Sequence, residues 1–268
     1  MTVVVPGGAP TLQSGADVLG VQISRLDMKL ALDTIEGFIA RGERRTVVFP
    51  NPFCVIQARR DPAYRDALNR ADLRLPDGWP VVWATRWLGA PAPERVAGPD
   101  LFVALNRRAE SAGYTVYLLG GAIRDNAELV AEALRKRYPA IRIVGTSSPP
   151  AGPVDGAIAE GVLRDIARCR PNILWVGLGS PMQEAWLQRH RERIEANVSL
   201  AVGGTFNYYN GTRRRASPWL CEHGLEWLHR IAHDPTLIWK KRFYAFATEF
   251  FVPVWLDAIA RSLHRRLH

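Results

Sequence analysis

The stretch Arg170-Pro-Asn-Ile-Leu-Trp-Val-Gly-Leu-Gly-Ser-Pro-Met-Gln-Glu-Ala-Trp-Leu-Gln-Arg189 constrains the fold more than any other. Asn172 to Val176 is a short apolar run after a proline, the pattern of a strand buried on both faces. Gly177 and Gly179 then allow a tight turn and bring bare backbone close to a ligand. Ser180 is a natural N-cap, Pro181 fits the first helical position, and Gln183 stands where a capping box places its return partner. A strand that passes through glycines into a helix N-terminus presents free N–H groups and a positive dipole end, which suits an anion. Gln183 therefore has two readings, helix cap or ligand contact, and local chemistry leaves both open.

With 268 residues the chain has length for one large core, or one core plus an appendage. A hydrophobic content of 47% with nine tryptophans excludes a disordered chain. Cys54, Cys169 and Cys221 stand singly, with no C-x-x-C, and are expected to be free thiols in a reducing cytoplasm. Val3–Val5 lacks a basic flank and is broken by Pro6-Gly7-Gly8, so it does not read as a signal peptide. No uncharged apolar run reaches membrane-spanning length, and the expectation is a soluble or peripheral protein. Charge is placed unevenly: from Gly211 onward ten Arg and Lys outnumber five Asp and Glu, leaving +5 of the chain's +9 in under a quarter of its length. Basic charge of this kind seeks phosphate, in nucleic acid, anionic lipid or a diphosphate substrate.

Taken in order, residues 1–18 read as a loose leader, 19–207 as an α/β core and 208–268 as a basic, aromatic-rich appendage. Thr46–Phe49 is a strand ending at Pro50-Asn51-Pro52, which puts Asn51 at the carboxyl end of a strand, where open α/β sheets bind ligands. An ordinary Asn–Pro turn explains it equally well. Ala71–Leu75 is a strand leading into Pro76-Asp77-Gly78. Trp79, Trp83 and Trp87 follow at four-residue spacing, a stripe expected to face the core. Asp77 lies on a strand-to-helix turn beside a glycine; by spacing alone it is a helix cap or a site carboxylate. A helix from Asp100 to Gly113 comes next, then strand Tyr114–Leu119, the Gly120-Gly121 turn, helix 124–138 and strand Ile141–Val144. Helix 154–168, the central strand, a helix over 181–195, strand Val198–Val202 and the turn Gly203-Gly204-Thr205 complete the core. Strands alternating with helices predict a Rossmann-like, mostly parallel, doubly wound sheet with its glycine turns along one edge.

Several chemistries are missing. There is no G-x-x-x-x-G-K-[ST], no G-x-G-x-x-G, no H-E-x-x-H, no D-x-D and no G-x-S-x-G. His229 and His233 have ligand spacing but no partner set, so no metal and no cofactor is expected. What remains is a carboxylate, amides, glycine turns and arginines, a set fit for proton abstraction with anion stabilisation.

The motifs Pro50-Asn51, Leu75-Pro-Asp-Gly78, Glu94-Arg-Val-Ala-Gly98, Leu118-Leu-Gly-Gly121, Val176-Gly-Leu-Gly-Ser-Pro-Met-Gln-Glu184, Val202-Gly-Gly-Thr-Phe206, Gly211…Arg215-Ala216 and Gly224-Leu-Glu-Trp-Leu-His-Arg230 occur in this order. Together they resemble the WecG/TagA/CpsF glycosyltransferase family, from about Val18 to about Phe243. The resemblance implies an inverting, metal-independent transfer of a sugar from a UDP-sugar to a polyprenyl-diphosphate-linked saccharide, at the cytoplasmic face of the cell membrane, in surface-polysaccharide assembly. It implies Asp77 as general base, and Asn51, Gly78, Arg95, Gly120, Gly121, Gly179, Gln183, Arg215 and Arg230 as substrate-binding residues. Helix N-termini and arginines would then hold the departing diphosphate in place of a cation. The chain differs from the family pattern at Phe49, at Arg215-Ala216-Ser217-Pro218, at Ser147–Gly152 and near Leu237, so the resemblance does not specify the sugar. The competing expectation from the binding class is a membrane-recruited nucleotide-sugar-binding protein without catalysis. An oxidoreductase would require the missing dinucleotide fingerprint.

Phe243 to Leu267 sets Phe246, Phe250, Phe251, Trp255, Ile259 and Leu263 at helical spacing beside Arg261, Arg265 and Arg266. That pattern suits a helix lying on anionic lipid, and equally one packed on the core or on a sister subunit in a homo-oligomer. No nucleic-acid motif accompanies the charge, and nucleic acid is not expected as a partner.

Overall fold

The computed structural model describes residues 15–222 and 244–267, apart from positions 93, 122 and 214. A two-stranded antiparallel hairpin, β1 (Ala16–Val18) and β2 (Val21–Ile23), opens it. Both strands are buried at alternate positions, so ordered structure begins inside the stretch read from sequence as leader. The main sheet has six strands, β3 (Arg45–Val48), β4 (Leu73–Arg74), β5 (Thr115–Leu119), β6 (Arg142–Ser147), β7 (Ile173–Val176) and β8 (Val198–Ala201), in the order β4-β3-β8-β7-β5-β6. Every pairing is parallel, as the alternation of strands and helices predicts. β7 and β8 at the centre are buried at all four positions, which explains a sequence that is apolar throughout apart from the buried Ser199.

Helices α1 (Met28–Ala40), α2 (Pro52–Arg60), α3 (Pro62–Asn69), α4 (Trp79–Trp87), α5 (Gly98–Ala112), α6 (Asn126–Arg137), α7 (Gly156–Cys169) and α8 (Met182–Arg189) surround the sheet. Two separate apolar cores result. One joins α1, α5 and α6 to one sheet face, and the other joins α2, α3, α7 and α8 to the opposite face. Short helices α9 (Phe206–Tyr209) and α10 (Pro218–Glu222) follow β8. A π-helical turn over Phe246–Phe251 then runs into the C-terminal helix α11 (Val252–Leu267). The tail is seated on the second core by Phe250 and Val254, both buried, and by Glu249, which receives the Arg60 guanidinium at 2.8 Å.

Two sequence expectations are corrected here. The helix after the central strand spans Met182–Arg189, shorter than 181–195, and the expected Ser180 capping box does not form. Ser180 instead turns its hydroxyl to Glu184, so Pro181 stands at the cap with no side-chain hydrogen bond. The α4 tryptophan stripe does not face the core: Trp83 and Trp87 are 41% and 43% exposed, while Val81, Val82, Ala84 and Thr85 are buried.

Candidate active site

The crossover after β5 leads outward to β6, whereas the one after β7 leads inward to β8. The sheet therefore reverses its winding between β5 and β7, the place where open α/β sheets leave a crevice at their carboxyl edge. The turns along that edge are stitched to one another. A Cβ on Gly121 would meet Leu178 at 2.9 Å, so the β5 and β7 turns touch directly. Gly121 O also accepts from Asn126 Nδ2 at 3.0 Å, and Asn126 Oδ1 accepts from Asn210 Nδ2 at 2.7 Å. The glycine of the β8 turn, Gly203, lies against the Gln183 amide, and Gly98 at the start of α5 lies against Thr205 and Phe49.

At the β4 end, the Asp77 N–H donates to Pro50 O at 3.0 Å and the Val96 N–H donates to Pro76 O at 3.0 Å. These two bonds clamp the Asp77 turn between the turn that carries Asn51 and the loop that carries Arg95. Asn51 caps α2, its Oδ1 accepting from Phe53 N at 2.9 Å and Cys54 N at 3.1 Å. Its helix-capping reading is thus real, and among the described residues Nδ2 has no hydrogen-bond partner. Asp77, by contrast, does not cap α4: Gly78 holds the cap position at φ +102°, with no side-chain hydrogen bond. Asp77 is half-buried, on the same sheet edge as the glycine turns. Three inter-strand steps separate β4 from β7, a span of roughly 14 Å at ordinary strand spacing.

Positive charge is supplied beside this turn. Arg95 Nη2 meets Asp100 Oδ2 at 2.8 Å, and Arg215 Nη2 pairs with Asp100 Oδ1. One carboxylate in the first turn of α5 therefore gathers two guanidinium groups. Arg230 lies outside the described residues, as do His229, His233 and the whole Gly224–Arg230 motif.

Gln183 proves to be a turn-former. Its Oε1 accepts from Gly179 N at 3.3 Å, and its Nε2 donates to Ser180 Oγ at 3.3 Å and to Glu184 Oε1 at 2.9 Å. Gly179, at φ +87°, has nothing within 4 Å of where a side chain would begin, whereas Gly120 has Ala127 N at 2.8 Å. Of the expected glycines, Gly179 opens to space and Gly120 and Gly121 are filled by protein. Sequence reasoning passed over Glu184, although its i+4 spacing from Ser180 was legible. It is buried, accepts the Ser180 hydroxyl at 2.5 Å, and leaves Oε2 without a partner among the described residues. Burial pushes its carboxyl above the ordinary range, against the hydrogen bonds from Ser180 and Gln183. Burial likewise pushes the neighbouring Cys54 thiol up to about 11, with the charges of Glu184 and Asp77 adding to the shift. Among the described residues no group of three His, Cys, Asp or Glu side chains is placed to hold a metal ion.

The model of the glycosyl transferase WecG/TagA/CpsF family matches residues 16–263, nearly the whole chain. The chain belongs to this family. Among its relatives is an N-acetylglucosaminyldiphosphoundecaprenol N-acetyl-beta-D-mannosaminyltransferase of Bacillus spizizenii, 32% identical over 197 residues and 73% of each chain. A protein of the same name from Staphylococcus aureus is 30% identical over 248 residues, 92% of each chain. This WecG/TagA/CpsF member is a glycosyltransferase, and its parallel sheet places the Asn51, Asp77, Gly120-Gly121, Gly177–Gly179 and Gly203-Gly204 turns on one edge.

Proposed function

We propose that the enzyme moves a sugar from a UDP-sugar to a saccharide carried on polyprenyl diphosphate, in cell-surface polysaccharide synthesis, with Asp77 as general base and inversion at the anomeric carbon. The observation that carries this reading is the clamped Asp77 turn: a half-buried carboxylate at the sheet edge, one hydrogen-bonded loop away from the Arg95–Asp100–Arg215 cluster. The activity for which the relatives are named supports the acceptor class, a lipid-linked diphosphate sugar.

In this scheme Asp77 takes the proton of the acceptor hydroxyl as its oxygen attacks the anomeric carbon, and UDP departs from the opposite face. Charge develops on the leaving diphosphate. Arg95 and Arg215, together with Arg230 from the tail, neutralise it, and the Gly179 turn offers backbone N–H groups at a helix start. Gly78 keeps the chain beside Asp77 free of side chain, and the Asn51 Nδ2 is available to a sugar hydroxyl. Gln183 and the backbone of Gly120 and Gly121 hold the donor turn in shape. No cofactor or metal takes part. The basic, aromatic tail keeps the enzyme peripheral on the cytoplasmic membrane face, where the acceptor resides; no described helix is long and apolar enough to cross a membrane.

The test is UDP release from a panel of UDP-sugars, UDP-N-acetylmannosamine among them, with a short-chain lipid-diphosphate acceptor, with and without EDTA. Turnover that survives EDTA is expected. Strict dependence on added Mg²⁺ or Mn²⁺ would refute the electrostatic scheme. UDP-sugar binding without turnover on any acceptor would favour the binding-protein reading instead.

A further inference from the structure

We propose that α4 and the C-terminal helix form one composite aromatic face that rests on an anionic bilayer, so that the α/β core itself contacts lipid beside Asp77. The lipid-linked acceptor in this proposal rests on the function proposed above; the surface stands on its own observations.

The first observation is that α4 is inside out. It buries small residues, Val81, Val82 and Ala84, and turns Trp83 and Trp87 outward. Burial normally runs the other way, because an indole loses far more water-exposed area than an alanine methyl. The second is that this face continues onto the tail. Trp87 meets the Phe251 ring edge-on at 5.5 Å between centroids. From there Val252, Trp255, Ile259 and Leu263 run along one side of α11, all exposed, while Val254 faces the core. The third is concentration: of the fourteen exposed large hydrophobic residues among those described, ten lie on α4 or in the chain from Trp219 onward. The other four are single residues on four separate elements. The continuous part of this set, Trp83 and Trp87 on α4 joined through Phe251 to Val252, Trp255, Ile259 and Leu263, marks an interaction surface.

Chemistry selects the partner. Tryptophan at the edge of a basic segment is the composition of a membrane–water interface. The chain from Gly211 carries +5, which draws the face toward anionic headgroups and opposes pairing with a second, equally basic copy. Asp77 precedes the α4 cap by one residue. The seating of α4 on the bilayer thereby sets the height of the carboxylate relative to the headgroup layer, where a lipid diphosphate lies.

The experiment uses the full chain. Trp83→Glu/Trp87→Glu, and separately Trp255→Glu, are compared with the parent in co-sedimentation with phosphatidylglycerol-containing vesicles. Transfer is measured to a short-chain acceptor in solution and to a long-chain acceptor held in the same vesicles. Circular dichroism and thermal melts check folding. The α4 double variant is expected to bind vesicles at least about tenfold more weakly and to lose turnover on the vesicle-borne acceptor in proportion, with solution turnover unchanged. A folded α4 variant that sediments like the parent would overturn the proposal. So would a parent dimer that this variant converts to monomer while vesicle binding persists, because a second copy would then cover the face. A parent that releases no UDP with any acceptor sinks the transferase reading alone, and vesicle binding still decides the surface.

Discussion

The β5/β7 turns and the β4 turn lie on the same sheet edge but spend their glycines differently. At β5/β7 the protein fills the space itself: a Cβ on Gly177 would sit 2.6 Å from the Phe206 ring, one on Gly121 would sit 2.9 Å from Leu178, and one on Gly120 would sit 2.8 Å from Ala127 N. At β4, Gly78 is required by its backbone, φ +102°, and its nearest neighbour is Pro80 at 3.7 Å. The first region is a rigid frame in which turn, helix and turn interlock. The second is the position proposed to work, where backbone hydrogen bonds on both sides hold the Asp77 turn and Gly78 takes the α4 cap. Glycine after a strand therefore signals either close packing or open approach, and only the neighbours distinguish the two.

The largest effect should come from the working position. Asp77→Asn is expected to lower turnover by about 100-fold or more while UDP binding stays within a few-fold of the parent, measured by single-turnover assay and calorimetry. Near-parental turnover would remove Asp77 as base and erase the functional half of the contrast. Next, Gly177→Ala should cost about 1–3 kcal/mol in urea unfolding, because Phe206 cannot yield within a packed core; an unchanged midpoint would show that the frame is softer than described.

Glu184 separates the regions by pH. Its folded carboxyl is raised, so between the ordinary value of 4.5 and the folded value the native state binds more protons than the unfolded chain. Stability contributed by this group is complete below that window and falls as pH rises through it, by at most about 1.4 kcal/mol per pH unit. Glu184→Gln should flatten that slope in melts from mildly acidic to neutral pH, and identical slopes would show that Glu184 titrates normally. The smallest effect is expected at Gly179→Ala, about 1 kcal/mol from its left-handed backbone alone, with the loss appearing mainly in UDP affinity. A cost above that of Gly177→Ala would invert the comparison.

Much of the architecture was readable in advance because buried parallel strands are short apolar runs punctuated by glycine, as at Ile173–Val176 and Val198–Ala201. The recognised motifs likewise brought Asn51, Asp77, Arg95, Gly179 and Gln183 onto one edge. Side-chain competition was not readable. Ser180 and Gln183 match a capping box, yet Glu184, four residues after Ser180, takes the Ser180 hydroxyl and the Gln183 amide. Nor could the facing of α4 be read: both sides are apolar, and periodicity identifies a stripe without saying which side the sheet claims. Arg95 and Arg215 stand far apart in the chain, and nothing local announces that Asp100 unites them.

That shared aspartate has a consequence for how the enzyme waits between turnovers. Two guanidinium groups aimed at one spot would repel each other and splay into solvent; Asp100 acts as a resident counterion that keeps them aimed. In the proposed reaction an incoming diphosphate meets cations that Asp100 already holds together, so much of the reorganisation that slows charged chemistry in water is done before the substrate arrives.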